Sequence, residues 1–264
     1  MVKLQVIGGG RMGEALVAGL VDSGWASASE LCVVEKLGSR RDQLATAIRG
    51  LVVTAEPTVA EGHVIAVKPG DVASVCRGLV ELGVAGSRVL SIAAGVTIAT
   101  LETHLGDGVP VIRAMPNTPA LIGAGAAAIA AGTAAGEQDL EWAESVLGAV
   151  GVVVRVDEPL LDAVTGLSGS GPAYVFLVAE ALVEAGVFVG LPRDVSEALA
   201  VQTVLGSARM LAETGESATA LRANVTSPGG TTAAGLYALE AAGMRAALLA
   251  AVKAAADRSR ELGQ

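Results

Sequence analysis

The hydrophobic pattern of this chain changes its period near residue 157. Before that point short apolar runs alternate with helical stretches. Lys3–Leu4–Gln5–Val6–Ile7 alternates toward an apolar end and predicts a buried first strand. Leu31–Cys32–Val33–Val34, Val64–Ile65–Ala66–Val67 and Val89–Leu90–Ser91–Ile92 repeat the signal, as do residues 109–113, 126–130 and 152–154. Between them, Ala15, Leu16, Ala18, Gly19 and Leu20 have the spacing of a helix packed on a sheet. Further helices are predicted at 39–49, from Asp71 through Leu82, after a cap at Thr97, and at 137–147. The stretch 114–119 is too rich in proline to continue either kind of element. Strand and helix in alternation predict an α/β fold, a mainly parallel sheet covered on both faces.

Beyond Asp157 no strand pattern recurs. Helices are predicted at 192–213, 218–224, 229–242 and 244–262, preceded by a segment without charge between Asp162 and Glu180. That segment has no broad polar side, so it must lie inside a bundle or against another subunit. Its Gly/Ser/Pro stretch, 168–172, predicts a kink. Two domains are therefore expected, a mainly parallel α/β domain over 1–156 and an all-α domain over 157–264.

Composition excludes several classes. Hydrophobic residues make up 52% of 264, and the mean hydropathy is +0.58, but much of this is alanine beside 34 glycines. The longest uncharged run, 114–136, contains Pro116, Asn117, Pro119 and several glycines, which suits a membrane span poorly. No basic leader with an apolar core precedes the first strand, so a soluble, cytoplasmic protein is expected. A net charge of −9 offers no cationic patch for nucleic acid. Cys32 and Cys76 fall inside element patterns, as buried small residues rather than a disulfide or metal framework. With His63 and His104 as the only histidines, each read as an element-end residue, no metal centre or histidine triad is expected.

The chemistry-bearing residues gather at the turns. Gly8–Gly9–Gly10–Arg11–Met12–Gly13 fits G-x-G-x-x-G directly after a strand and before a helix. In a dinucleotide fold Gly8 permits the tight turn, Gly10 admits the pyrophosphate, and Gly13 lets helix and strand pack closely. The pyrophosphate then lies over free amides at the positive end of the helix. Glu35 comes 22 positions after Gly13 (35 minus 13), where such folds carry an acid for the adenine ribose. Lys36, Ser39, Arg40 and Arg41 follow and could hold a 2′-phosphate, or could be a solvated charge cluster. In the helical half, Ser227 suits an N-cap and Pro228 the first helical position. Gly229, Gly230 and Thr231 would then present bare amides, a carboxylate site strengthened by two hydroxyls.

Five motifs in order carry a resemblance. They are residues 7–13, Ala66–Val67–Lys68–Pro69, Ala114–Met115–Pro116–Asn117–Thr118–Pro119, Ser168–Gly169–Ser170–Gly171–Pro172–Ala173–Tyr174 and residues 225–232. Together they resemble pyrroline-5-carboxylate reductase, the last enzyme of proline biosynthesis, over essentially the whole chain. The resemblance implies a Rossmann-like N-terminal domain and a helical C-terminal domain that interlocks with a second copy, with an active site between one subunit's cofactor domain and its partner's helical domain. It implies a homodimer, with larger rings of dimers, acting on 1-pyrroline-5-carboxylate with NADPH, NADH also being usable. It also places the Gly8–Gly13 turn, with Gly8, Gly10, Arg11, Met12 and Gly13, at the pyrophosphate, Ala66 and Val67 at the cofactor, and Lys68, Pro69 and Asn117 on its nicotinamide side, beside the Glu35, Lys36 and Arg40 that position and charge put at the cofactor. Ser227, Gly229, Gly230, Thr231 and Thr232 are placed at the substrate, Thr232 as donor to the ring nitrogen. Glu35–Lys36 departs from a clean phosphate-binding sequence.

The residue inventory bears on the same point independently. Ketone reduction commonly needs a proton donor such as a Tyr and Lys four apart, but Val178 follows Tyr174 and Ala241 follows Tyr237. A hydroxyacid dehydrogenase of related architecture would use a lysine in the helical half, which holds only Lys253. A cyclic imine can arrive already protonated and accept hydride without a strong enzymic acid. A nucleotide-sensing dimer without catalysis is the alternative from another class.

Overall fold

The computed structural model describes residues 2–84 and 86–263. In chain order the elements are β1 (Val2–Ile7), α1 (Arg11–Asp22), β2 (Leu31–Val34), α2 (Gly38–Ala47), β3 (Val52–Thr54), β4 (Ala60–Ile65) and α3 (Val72–Glu81). There follow β5 (Arg88–Ser91), α4 (Ile98–Leu105), β6 (Val111–Met115), β7 (Gly125–Ala131), α5 (Glu137–Gly148) and β8 (Gly151–Arg155). The remainder is helical: α6 (Leu161–Val164), a π-helical turn (Thr165–Gly169), α7 (Gly171–Phe188), α8 (Arg193–Glu213), α9 (Ala218–Asn224), α10 (Thr231–Ala241) and α11 (Met244–Leu262).

The eight strands form one sheet in the order β3-β2-β1-β4-β5-β6-β7-β8, parallel except for the antiparallel β6–β7 pair. Side-chain alternation splits the core across this sheet. Leu4, Val6, Val33 and Val64 pack with Leu16 and Leu20 of α1 and Val146 and Leu147 of α5. Ile7, Val34, Ile65 and Val89 pack on the opposite face with Cys76 and Leu79 of α3 and Leu101 and Leu105 of α4. Thr97 caps α4 as expected, its hydroxyl accepting from the Thr100 amide at 3.2 Å.

The elements differ from the sequence reading in places. Ala66 and Val67 lie beyond β4, where the chain leaves the sheet toward Lys68. β3 was not expected; it is a three-residue edge strand with an exposed Val52, too short to show a period. Ala114 and Met115 remain in β6 because the proline break begins only at Pro116, and they pair with Ile129 and Ala128 of β7. His63 is likewise no element-end residue. It sits inside β4, 2% exposed, with the Gln5 amide donating to its Nδ1 at 3.1 Å.

Contacts divide the chain into two compact units, Met1–Ser170 with Lys253–Gln264, and Gly171–Val252. The first therefore includes α6, the π turn and the end of α11, where the Ser259 hydroxyl donates to Asp162 at 2.6 Å. In the second, α7 and α8 are joined by Ser196, whose hydroxyl donates to the Val183 carbonyl at 2.7 Å. Its apolar side chains are otherwise largely bare: Phe188 is 90% exposed and Tyr237 77%.

Candidate active site

The strand order reverses at β1, which has β2 on one side and β4 on the other. In open parallel sheets this switch point opens a crevice at the carboxyl ends of the strands, where ligands bind. Residues 8–13, Glu35, Ala66–Pro69 and Asn117 all follow the carboxyl ends of β1, β2, β4 and β6. The edge is stitched by backbone bonds from Gly8 to Val34 (2.9 Å) and from Ala66 to Ile7 (2.8 Å).

Each glycine of the turn has its own steric reason. Gly8 has φ +114°, and a Cβ there would strike the Ala66 carbonyl. A Cβ on Gly13 would strike the Gly8 carbonyl oxygen, so helix and turn could not approach as they do. Gly10 is different: a Cβ there would meet nothing within 4 Å. It has an ordinary extended conformation, caps α1 with no side-chain bond, and opens onto free space. The first bond into the helix runs from Glu14 N–H to the Gly10 carbonyl at 2.9 Å, leaving the Arg11, Met12 and Gly13 amides ahead of it. An open concavity before uncapped amides at a positive helix end fits a pyrophosphate. Arg11 is exposed there, whereas Met12 packs into the core.

Glu35 and Arg40 are placed beside this turn, with their polar atoms already engaged. The Glu35 carboxylate accepts from the Gly9 amide at 3.1 Å and from the Leu37 amide at 2.8 Å. Arg40 donates from Nε to the Gly9 carbonyl at 2.8 Å and pairs with Glu14 at 2.6 Å. Arg41 donates to the Glu35 and Lys36 carbonyls at 2.9 and 2.8 Å, fixing the loop after β2. Lys36 is exposed. Glu14 was not anticipated, because nothing local ties a first-turn acid to an arginine 26 positions away.

Lys68 and Pro69 are exposed where β4 gives way to a short 3-10 turn, while Ala66 and Val67 pack against the two cores. Asn117 is bound within the fold. Its Oδ1 accepts from the Ala126 amide at 2.8 Å and its Nδ2 donates to the Ser168 carbonyl at 3.0 Å. It thus ties the loop after β6 both to β7 and to the π turn. Burial pushes the Cys76 thiol up to about 11 and raises that of Cys32, so both are inert packing residues at neutral pH. Burial also lowers His63 to about 4. Among the described residues no group of three or more His, Cys, Asp or Glu could hold a metal ion.

In the second unit, the helix expected to begin behind Ser227 begins later. Gly230 is the N-cap of α10, with no side-chain bond, and Thr231 the first helical residue; Ser227 instead accepts the Gly230 amide through its carbonyl at 3.1 Å. Both glycines have local reasons. Gly229 has φ +68°, and a Cβ on Gly230 would strike the Ser227 hydroxyl. The uncapped amides are then those of Thr231, Thr232 and Ala233, since the first bond into the helix runs from Ala234 to Gly230 at 3.2 Å. Thr232 is half-buried and Thr231 exposed.

Two family models match, "Pyrroline-5-carboxylate reductase dimerisation" over residues 158–262 and "NADP oxidoreductase coenzyme F420-dependent" over residues 3–95. The chain is 45% identical to a pyrroline-5-carboxylate reductase of Mycobacterium tuberculosis, across 99% of this chain and 97% of the relative. A solved pyrroline-5-carboxylate reductase from Coxiella burnetii has TM-score 0.94 and 38% identity, covering 100% of this chain and 99% of its own. A pyrroline carboxylate reductase of Plasmodium falciparum, solved with NADP bound, has TM-score 0.85 and 30% identity, covering 100% of this chain and 98% of its own.

Proposed function

We infer that this chain, which belongs to the pyrroline-5-carboxylate reductase family, reduces 1-pyrroline-5-carboxylate to L-proline at the expense of NADPH. The observation that carries the reading is the glycine turn at the sheet's switch point, open at Gly10 and backed by uncapped amides. When bound, NADPH supplies the hydride, which adds to C5 of the protonated ring C=N and turns it into a C–H and N–H pair. The chain's part is then mostly binding and orientation. The Arg11, Met12 and Gly13 amides take the pyrophosphate. Lys68 and Pro69 border the nicotinamide, and Asn117 holds the neighbouring loop in place through its two backbone bonds.

The substrate's carboxylate is assigned to the first turn of α10, with Ser227, Gly229, Gly230 and Thr231 forming the approach and the Thr232 hydroxyl donating to the lone pair that forms on the ring nitrogen as hydride reaches C5. Support comes from the absence of a side-chain cap on that helix and from the two threonines at its start. No strong enzymic acid is required, because the imine nitrogen already has its proton.

The working unit proposed is a homodimer in the cytoplasm, assembling further into a ring of dimers. The run Glu158–Phe188 is long and apolar enough to cross a membrane by length and composition, and only 6% of its apolar window is buried. A match to reductase dimerisation over the same residues supports a second copy, rather than lipid, as the cover. The domain division at 156/157, between the last strand and the helical part, is retained as the functional one.

The direct test is the fall in nicotinamide absorbance when 1-pyrroline-5-carboxylate is added to purified protein with NADPH. Proline must appear in equal amount. No turnover with either NADPH or NADH would refute the reading.

A further inference from the structure

Arg40 looks from its position like a cation for the 2′-phosphate that distinguishes NADPH from NADH. Its contacts say otherwise. The Gly9 peptide is gripped on both sides: Glu35 Oε2 accepts its N–H at 3.1 Å and Arg40 Nε donates to its carbonyl at 2.8 Å. Arg40 is itself held by Glu14, from Nη2 to Oε2 at 2.6 Å, and by Gln43, from Nη1 to Oε1 at 3.2 Å. Glu14 stands in the first turn of α1, the helix whose amides face the open space at Gly10. The guanidinium therefore links three parts of the site: the middle peptide of the turn, the helix that follows it, and α2.

We propose that Arg40 is a positioning residue, which sets the glycine turn for the pyrophosphate and acts equally on NADPH and NADH. Three consecutive glycines have the widest conformational freedom of any tripeptide, so a turn made of them needs outside restraint to hold one shape. The neighbours of Gly9 give the restraint. A planar guanidinium reaches several acceptors in fixed directions, which an ammonium cannot do. Its charge is matched by the Glu14 carboxylate, so it offers a second anion less than a free arginine would. The pyrophosphate is common to both cofactors, and so is the loss expected when its turn loosens.

The inference rests on the reading of the chain as a nicotinamide-dependent reductase, and the controls separate the two. Calorimetric titration of the unmodified protein with NADPH and NADH comes first; binding of neither would sink the functional reading itself. Arg40→Ala is then expected to raise Kd for both cofactors roughly tenfold, the cost of one charged hydrogen bond, while their ratio stays within about twofold. Arg40→Lys, which keeps the charge and a donor, is expected to restore part of the affinity. Glu14→Gln gives a smaller loss, again shared by both. The same split should appear as raised KM for both cofactors in turnover. A loss confined to NADPH would make Arg40 a phosphate ligand and overturn the proposal. So would unchanged Kd in Arg40→Ala or, should that variant not fold, in both Arg40→Lys and Glu14→Gln. A fall in melting temperature with normal cofactor affinity would also overturn it, as a purely structural salt bridge.

Discussion

Replacing Gly10 by Ala should damage cofactor binding while sparing the fold. The residue has φ −68° and ψ −175°, which alanine adopts without strain, and an added methyl would meet nothing within 4 Å. As an N-cap, alanine is worse than glycine by a few tenths of a kcal/mol to ~1 kcal/mol, and the reduced freedom of the unfolded chain returns about 0.4–1 kcal/mol. Net stability should therefore hardly change. The methyl nevertheless stands where a pyrophosphate must approach the Arg11, Met12 and Gly13 amides. Losing one charge-assisted hydrogen bond there costs about 1.5–3 kcal/mol, so Kd for NADPH and for NADH should rise roughly 10- to 150-fold. Gly13→Ala is the contrasting case, because its Cβ would overlap the Gly8 carbonyl oxygen. That overpacking should cost about 1–3 kcal/mol of stability. Calorimetric titration and thermal melts of the two variants separate the roles. An unchanged Kd in Gly10→Ala would refute the pyrophosphate assignment, and so would a loss of melting temperature equal to that of Gly13→Ala.

Thr232→Ala should lower kcat/KM for the imine by roughly ten- to a hundredfold with cofactor Kd near normal; unchanged kinetics would remove Thr232 from the site. Gly230→Val should lower the melting temperature as well as activity, since its side chain would strike the Ser227 hydroxyl; a normal melt would count against that packing. Burial holds His63 at about 4 against an ordinary 6.5, so between those values the unfolded chain binds more protons than the folded one. Its contribution is complete above pH 6.5 and falls by up to ~3 kcal/mol as pH drops toward 4. Denaturant melts of wild type and His63→Gln over that range should diverge, and parallel curves would refute it. The intact chain should sediment as a dimer or a multiple of one at micromolar concentration; a well-folded monomer would contradict the covering of α7 by a second copy.

What the sequence determined is whatever depends on local chemistry. Period-two and helical patterns placed most strands of the sheet, because a buried strand needs consecutive apolar residues whatever surrounds it. The steric tasks of two glycines in the first turn were legible because they are local: a Cβ at Gly8 or Gly13 would strike backbone, while one at Gly10 would meet nothing within 4 Å. Both cysteines were legible as packing residues for the same reason. The tertiary structure decided which partner each polar group takes. Arg40 and Glu14 lie 26 positions apart, and Asn117 and Ser168 lie 51 apart; no spacing rule joins such residues until the sheet order brings their elements together. The same holds for His63, whose neighbour Gln5 arrives only through the β1–β4 register. At Ser227 a good local signal lost to backbone geometry. Ser-Pro can open a helix, but the left-handed turn at Gly229 delays α10 until Thr231, because a turn and a helical residue cannot occupy one position.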